Sequence, residues 1–265
     1  MLLSDSPIVS TIISTYNNPQ FLELNLLSYR NQSYKNFEVI IADDGSESAT
    51  AELVKTYQRQ SPFPIKYVWQ ADCGFRKAKI LNEALRIAEG RIILFTDQDC
   101  IATHDLIAKH VSHIKLNALV LGGRRFLDRE ATASILESKT VDGRVLLSIS
   151  HPRRVEEFYN RFILPHGFWN GSNSSVYKEY LYRVNGLNEE FFGWGAEDSE
   201  IGYRLYKIGC RVTYLGATAL VFHLWHPRKG YMWANRNHYK LMRDRFRNRI
   251  PIVAHNGLAK GEQVQ

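Results

Sequence analysis

The sequence predicts an α/β protein with a mostly parallel central sheet flanked by helices. Three observations lead there. Over the first ~120 residues, short β-branched runs alternate with segments of helical periodicity, the βαβα order of a parallel sheet covered by helices. Three strand candidates turn polar at their C-terminal ends, at Thr15-Tyr16-Asn17, Asp43-Asp44-Gly45-Ser46 and Asp97-Gln98-Asp99. Ligands of such sheets sit beyond those ends, so the three loops predict one shared cleft. Finally, 265 residues with 45% hydrophobic and 23% charged residues suffice for a full core.

The elements follow in order. Ile8 to Ser14 is a short β-branched run and reads as a buried strand. A helix follows Pro19, carrying Phe21, Leu22, Leu24, Leu26 and Leu27. Phe37 to Ala42 is the second strand, Glu47 to Gln60 the second helix and Ile65 to Trp69 the third strand. Ala78 to Ala88 is a helix with Ile80, Leu81, Ala84, Leu85 and Ala88 on one face. Arg91 to Phe95 is the fourth strand and Leu119 to Gly122 a fifth. From about Phe126 the periodicity weakens, and residues 127–165, with Arg153 and Arg154, read as loop-rich. Structure resumes near Gly167-Phe168-Trp169-Asn170-Gly171-Ser172. A helix from Asp198 to Ile208 ends at Gly209. Val212 to Leu215 and Ala219 to His223 read as strands, Gly230 to Arg247 as a basic, aromatic helix, and 254–265 as a frayed, flexible tail.

The net charge of +7 suits an anionic partner or is a solvated surplus. No apolar run approaches the ~18–20 residues that span a bilayer. The N-terminus lacks the basic-then-apolar layout of a signal peptide. Cys73, Cys100 and Cys210 are widely spaced, neither a disulfide framework nor a zinc pattern, which fits a reducing compartment. The expectation is a cytoplasmic protein, with peripheral contact at the inner membrane face open to its basic tail.

Two carboxylate clusters carry the chemistry. Asp97-Gln98-Asp99 follows the apolar run Arg91 to Phe95. If the strand continues, alternate residues share a face and both carboxylates point into one cleft, a seat for a hard divalent cation and a nucleotide diphosphate. Phe192-Gly193-Trp194-Gly195-Ala196-Glu197-Asp198 offers a flat apolar ring, close backbone approach and acids, which suits a sugar hydroxyl. A turn with a favourable helix start would use the same residues.

Ser14-Thr15-Tyr16-Asn17, Asp43-Asp44-Gly45-Ser46, Gly74-Phe75-Arg76-Lys77-Ala78 with Asn82, and Asp97-Gln98-Asp99 resemble, in order and spacing, glycosyltransferase family 2 and the nucleotide-binding half of its GT-A fold. Asn185-Gly186-Leu187 with Phe191 to Asp198 resembles the acceptor part of β-1,4-galactosyltransferases. It is also similar to polypeptide N-acetylgalactosaminyltransferases and bacterial chondroitin-polymerase modules. The resemblance spans about residues 7–230 and leaves 127–165 unmatched.

The resemblance implies roles. Asp99 is the more direct ligand of Mn²⁺ or Mg²⁺, and Asp97 reaches ribose or metal. One histidine is a further ligand: His223, which ends a strand, with His226 as rival. Period-two geometry puts the two on opposite faces, so joint ligation requires a turn. Thr15 and Tyr16 flank the base, with Asn17 and Gln98 beside them. Asp43 and Asp44 meet the nucleoside, and Arg76 and Lys77 the diphosphate or base site. Asn82 touches the donor or merely packs, and Gly171 approaches the donor sugar through its backbone. Asp198 is the general base, Glu197 binds a neighbouring acceptor hydroxyl and Trp194 stacks on the acceptor ring.

Residues 1–125 are then the nucleotide-sugar half, 126–253 the acceptor and catalytic half of the same domain, and 254–265 a tail. The implied activity is inverting, metal-dependent transfer from a UDP-sugar to a saccharide or glycolipid acceptor in polysaccharide or glycoconjugate synthesis. Galactose or N-acetylgalactosamine is the favoured sugar, with N-acetylglucosamine and glucose open. No nucleic-acid partner is expected. A nucleotidyltransferase, or a non-catalytic carbohydrate-binding protein on this fold, is the alternative. A Rossmann oxidoreductase is rejected, because Ser14-Thr15-Tyr16-Asn17 stands where a Gly-x-Gly-x-x-Gly is needed. The basic tail, Arg228, Lys229, Arg236, Lys240, Arg243, Arg245 and Arg247, suits an anionic acceptor or membrane, or is a solvated face.

Overall fold

Alternation within the strands decides the layers. In β1 (Val9–Thr15) and β2 (Phe37–Asp43), Val9, Ile13, Val39 and Ile41 face one side of the sheet, and Ile12, Ile40 and Ala42 the other. Both sets are buried, so helices cover both faces. The computed structural model describes residues 8–152, 169–227 and 236–260. Its further strands are β3 (Ile65–Trp69), β4 (Ile92–Asp97), β5 (Cys100–Ala102), β6 (Ala118–Phe126), β7 (His151–Pro152), β8 (Asn173–Tyr177) and β9 (Arg211–His223). The helices are α1 (Pro19–Arg30), α2 (Ser48–Gln60), α3 (Lys77–Ile87), α4 (Leu106–His113), α5 (Arg129–Ser138), α6 (Gly143–Ile149), α7 (Lys178–Arg183), α8 (Glu197–Lys207) and α9 (Arg236–Phe246). None of these is long and apolar enough to cross a membrane.

The sheet order is β3-β2-β1-β4-β8-β6-β9-β5, with β7 on β6. β1, β2, β3 and β4 pair in parallel, as the alternation requires. β8 runs antiparallel to both β4 and β6, and β5 antiparallel to β9. Leu22, Leu26, Val54 and Leu106 bring α1, α2 and α4 onto one face. Ile80, Leu81, Tyr180, Ile201 and Leu205 bring α3, α7 and α8 onto the other.

Several expectations change. Residues 127–152 are not loop-rich: they hold α5 and α6, each started by an aspartate. Asp128 accepts from the Ala131 N–H and Asp142 from the Arg144 N–H, both at 2.8 Å. Residues 153–168, with Arg153, Arg154, Gly167 and Phe168, and residues 228–235, with Arg228 and Lys229, lie outside the described residues. The two strands expected at 212–223 are one, β9, which shifts register against β6 at Gly122. There a Cβ on Gly123 would lie 2.5 Å from the Gly216 oxygen. Glycine thus lets the two backbones meet. Residues 254–260, expected to fray, are tied down. Asn185 Nδ2 donates to the carbonyls of Ala254 (2.7 Å) and Ala259 (2.9 Å), and the Ala259 N–H donates back to Asn185 Oδ1 (2.7 Å).

Two buried polar clusters stiffen the frame. Arg204 in α8 is fully buried, bonded to Glu200 (2.8 Å) and to the Gly186 carbonyl (2.7 Å), which fixes α8 against the turn after α7. Asn173, Ser174 and Ser175 make β8 polar yet fully buried. His110 satisfies two of them, Nδ1 with Ser175 Oγ (2.8 Å) and Nε2 with Asn173 Oδ1 (2.9 Å). Burial lowers the His110 imidazole to about 4, so it is neutral here.

Candidate active site

The loops after β1, β2 and β4 converge as expected. β4 ends at Asp97, and Gln98-Asp99 form a turn before β5. The expected strand continuation is therefore replaced by a reversal, and the two aspartates part company. Asp97 Oδ1 takes the Lys77 ammonium and the Ser14 hydroxyl, each at 2.5 Å. Asp99 goes to the histidines.

Ladder register brings Asp99 to them: Cys100 of β5 pairs with His223 of β9. The chain then leaves the strand, and the Leu224 N–H donates to the Asp99 carbonyl at 2.8 Å. This is the turn that period-two geometry demanded, and it returns His226 to the same carboxylate. Asp99 Oδ2 lies 3.2 Å from His226 Nε2 and 3.5 Å from His223 Nε2. One ligand atom from each of the three residues falls within 4.8 Å of the others. His223 and His226 thus lie beside the same carboxylate, and Asp97 falls outside this group of three. Burial disfavours the Asp99 anion, but the two imidazoles outweigh it and hold the carboxyl well below its usual range. Burial also pushes the His223 imidazole down, toward the neutral form that binds metals. The hydrogen bond to Asp99 pulls His226 up. One carboxylate and two imidazoles fit Mn²⁺ better than Mg²⁺, which prefers oxygen throughout.

At the nucleotide end, several expected contacts serve the scaffold. Asp43 is fully buried: Oδ1 accepts from the Ser46 (2.8 Å) and Gly45 (3.2 Å) N–H groups, and Oδ2 from the Tyr67 hydroxyl (2.7 Å). It shapes the turn and does not face the cleft. Asn82 is likewise fully buried. Its amide brackets Leu187, donating to the carbonyl and accepting from the N–H at 2.9 Å each. With a third bond to Glu189 Oε1 (2.9 Å), both of its amide hydrogens are taken up inside the fold. Asn17 Oδ1 accepts the Glu47 N–H at 2.8 Å, so it caps α2. Gln98 Nε2 donates to the Tyr16 carbonyl (3.0 Å) and its Oε1 accepts from Thr15 Oγ1, which braces that loop from below.

Tyr16 and Asp44 lie beside them, the Asp44 N–H donating to the Thr15 carbonyl at 3.0 Å. The Tyr16 ring is 40% exposed, and its hydroxyl donates to Asp72 at 2.9 Å. Asp44 accepts from the Arg76 N–H at 2.7 Å and from Gln70, and burial raises its carboxyl. The Arg76 guanidinium turns to the Ala71 carbonyl, within its own loop. Tyr67, Gln70 and Asp72 were missed by sequence reasoning. Tyr67 is a plain strand residue by pattern, and the other two sit in a loop without periodicity.

A second group of expected site residues meets at Gly171. Trp169, buried edge-on against Phe95 at 5.2 Å, sets the turn. The Gly171 N–H donates to Asp198 Oδ2 at 3.3 Å, and a Cβ on Gly171 would lie 3.7 Å from both Asp198 Oδ2 and Lys77 Nζ. Burial works against the Lys77 ammonium, but Asp97, Glu197 and Asp198 together hold it charged, well above the ordinary lysine range. Glu197 is 6% exposed. Burial foremost, then Asp198, raises its carboxyl to about 7, with Lys77 opposing.

The loop ahead of α8 needs left-handed backbone at Gly193 (φ 84°), Gly195 (φ 99°) and Ala196 (φ 72°), which explains its glycines. It is held from two sides. The Gly193 N–H donates to the Phe75 carbonyl (3.0 Å), and Asn237 of α9 donates to the Phe192 (3.0 Å) and Gly193 (3.2 Å) carbonyls. Trp194 stands 47% exposed, its ring 5.9 Å from that of His238. Asn237 and His238 were also missed, because the tail read only as basic and aromatic.

Known proteins resemble this chain. The family model described as glycosyl transferase family 2 matches residues 10–180, and that described as the N-terminal domain of galactosyltransferase matches residues 156–227. Chondroitin synthase of Escherichia coli is 31% identical over 76% of this chain and 32% of its own length. The chain spans about a third to a half of the first curated relatives it matches. Residues 1–349 of TarS from S. aureus, in complex with UDP-GlcNAc, superpose with a TM-score of 0.65 at 19% identity, covering 89% of this chain and 64% of that one. GalNAc-T7 with UDP, GalNAc and Mn²⁺ gives 0.64 at 13% identity, covering 91% and 48%. At these identities the structural likeness is one of fold, and the fold is that of the GT-A glycosyltransferases.

Proposed function

The chain belongs to glycosyltransferase family 2, and from that premise we propose that it moves a sugar from a UDP-sugar to a saccharide acceptor with inversion at the anomeric carbon. One observation carries the reading. Asp198 and the Lys77 ammonium lie against the same glycine, and Lys77 is bonded to Asp97, two residues before the metal-type cluster. A donor-end cation and an acid suited to an acceptor hydroxyl thus share one spot.

The roles follow from position. Tyr16 offers its ring to the base, and Asp44 its carboxylate to the nucleoside. Asp99, His223 and His226 would hold a divalent ion, Mn²⁺ by donor set. That ion supplies charge neutralisation for the diphosphate leaving group. Lys77 adds a second positive charge on the same side. Trp194 presents its face to the acceptor ring. The acceptor oxygen bonds to the anomeric carbon as the bond to the diphosphate breaks, the electron pair leaves with UDP, and Asp198 takes the hydroxyl proton. A single in-line displacement inverts the centre. Glu197 is buried, with its carboxyl raised to about 7 by burial and by Asp198, and is poorly placed to receive a hydroxyl from solvent.

The match to the galactosyltransferase model supports galactose or N-acetylgalactosamine as the transferred sugar. The polymer named in the E. coli relative supports a polysaccharide or glycoconjugate product. The test is a panel of UDP-sugars with Mn²⁺, read as UDP release with and without saccharide acceptors. Asp198→Asn should keep Mn²⁺-dependent UDP binding while transfer falls ~10²–10⁴-fold. Normal transfer by that variant ends the base assignment.

A further inference from the structure

We propose that α9 is a membrane-interface helix that lies on an anionic bilayer surface and carries the Trp194 loop with it. Tyr239, Met242 and Phe246 recur at the i, i+3, i+7 spacing of one helix face, and they are 69%, 62% and 93% exposed. Such a row of large exposed side chains on a surface helix is a contact surface for something apolar. The opposite side of α9 meets the protein. Asn237 bonds the Phe192 and Gly193 carbonyls, Lys240 lies 3.7 Å from Glu190, and the Arg245 guanidinium stacks over Tyr203 at 4.9 Å.

One flank of the stripe is cationic. Arg236, Arg243 and Arg247 are exposed beside it, and Arg249 continues the series. Asp244, the acid of this helix, is bonded to Arg243 at 2.9 Å. Aromatic and thioether side chains at one level, with guanidinium groups along one side of them, suit the boundary between acyl chains and anionic headgroups. Arginine also keeps its charge in water while its stem lies along the apolar layer. The stripe decides the partner. A polyanionic glycan would engage the arginines and leave Tyr239, Met242 and Phe246 in water; a bilayer takes both.

Docking in this way does not depend on the transferase reading. Only its consequence does: because Asn237 grips the loop carrying Trp194, a docked α9 would turn the acceptor-binding loop toward lipid. Acceptors would then be presented from the membrane plane.

The experiment is co-sedimentation of the full chain with vesicles of phosphatidylcholine alone or mixed with phosphatidylglycerol. Binding is expected to the mixed vesicles and to weaken with salt. The triple variant Tyr239→Ser, Met242→Ser, Phe246→Ser and the double variant Arg236→Glu, Arg247→Glu should each lose about tenfold or more in affinity. Their thermal midpoints should match the parent, because these side chains are exposed. Failure of the parent to bind mixed vesicles overturns the proposal. So does full binding by the triple variant, with soluble heparin competing, which would make the surface a polyanion site. A parent dimer that the triple variant abolishes would instead make it a self-association face.

Discussion

Lys77 and Asp97 meet Nζ to Oδ1 at 2.5 Å, where the first residue of α3 reaches the last residue of β4. Asp97, Glu197 and Asp198 all act on that one ammonium. Replacing it by Lys77→Met leaves three acids facing one another in a partly buried recess. Loss of one member of such a pair costs on the order of 1–3 kcal/mol after allowance for partial exposure. Calorimetry should show a lowered melting midpoint, and titration with UDP and Mn²⁺ a weaker complex. Unchanged UDP affinity would remove Lys77 from the donor site.

His223→Ala and His226→Ala should each weaken Mn²⁺ binding by at least ~10-fold. Both imidazoles lie within 3.5 Å of Asp99 Oδ2. Manganese titration followed by electron paramagnetic resonance separates bound from free ion. A variant that binds like the parent shows that its histidine is outside the centre. Mn²⁺ should also displace Mg²⁺ readily, because two of the three donors are nitrogen.

Glu197 gives a pH prediction with a definite sign. Its carboxyl is raised from 4.5 to about 7 in the fold. Between those values the folded chain keeps a proton that the unfolded chain releases. The stability it contributes is therefore complete below pH ~4.5 and declines as pH rises toward ~7. Glu197→Gln should remove that decline and be more stable than the parent above pH ~7, by on the order of 1–3 kcal/mol. Urea midpoints across this range test it. A variant-to-parent difference that ignores pH would mean that Glu197 is already ionised at neutrality.

Asn82→Ala distinguishes scaffold from ligand contact. The substitution leaves the buried Leu187 N–H and carbonyl without their partner, at a cost of about 1–3 kcal/mol. UDP affinity measured well below the new melting point should stay at the parent value. A specific loss of UDP binding would return Asn82 to the donor site.

The parallel half of the sheet was legible because its strands are short runs rich in β-branched and apolar residues and its helices carry periodic faces. Ile65 to Trp69 was read to the residue, and β1, β2 and β4 to within one or two. β8 was not legible, because Asn173-Ser174-Ser175 has the composition of a turn. It is a strand in which His110, more than sixty residues away in sequence, supplies hydrogen bonds that no local pattern announces. α5 and α6 were missed because few of their residues are buried: Thr132 and Ile135 in one, Leu146 in the other. Short polar motifs located the cleft but not the direction of each side chain. Asp43 and Asp44 are adjacent, yet one turns into the scaffold and the other toward the loop of Arg76. Pairing of His223 with His226 needed the turn after β9, which a strand-based reading could name as a condition and no more.

The register of Cys100 against His223 reaches beyond the ion it would position. Asp99 and the two histidines belong to chain segments more than a hundred residues apart. An occupied centre would therefore staple the residues around the end of β9 to the first half of the chain, and that strand could not peel away without releasing its ion. Chelation would then loosen the molecule as a whole, and a cut in the intervening segment would leave two fragments still clasped while the metal stays.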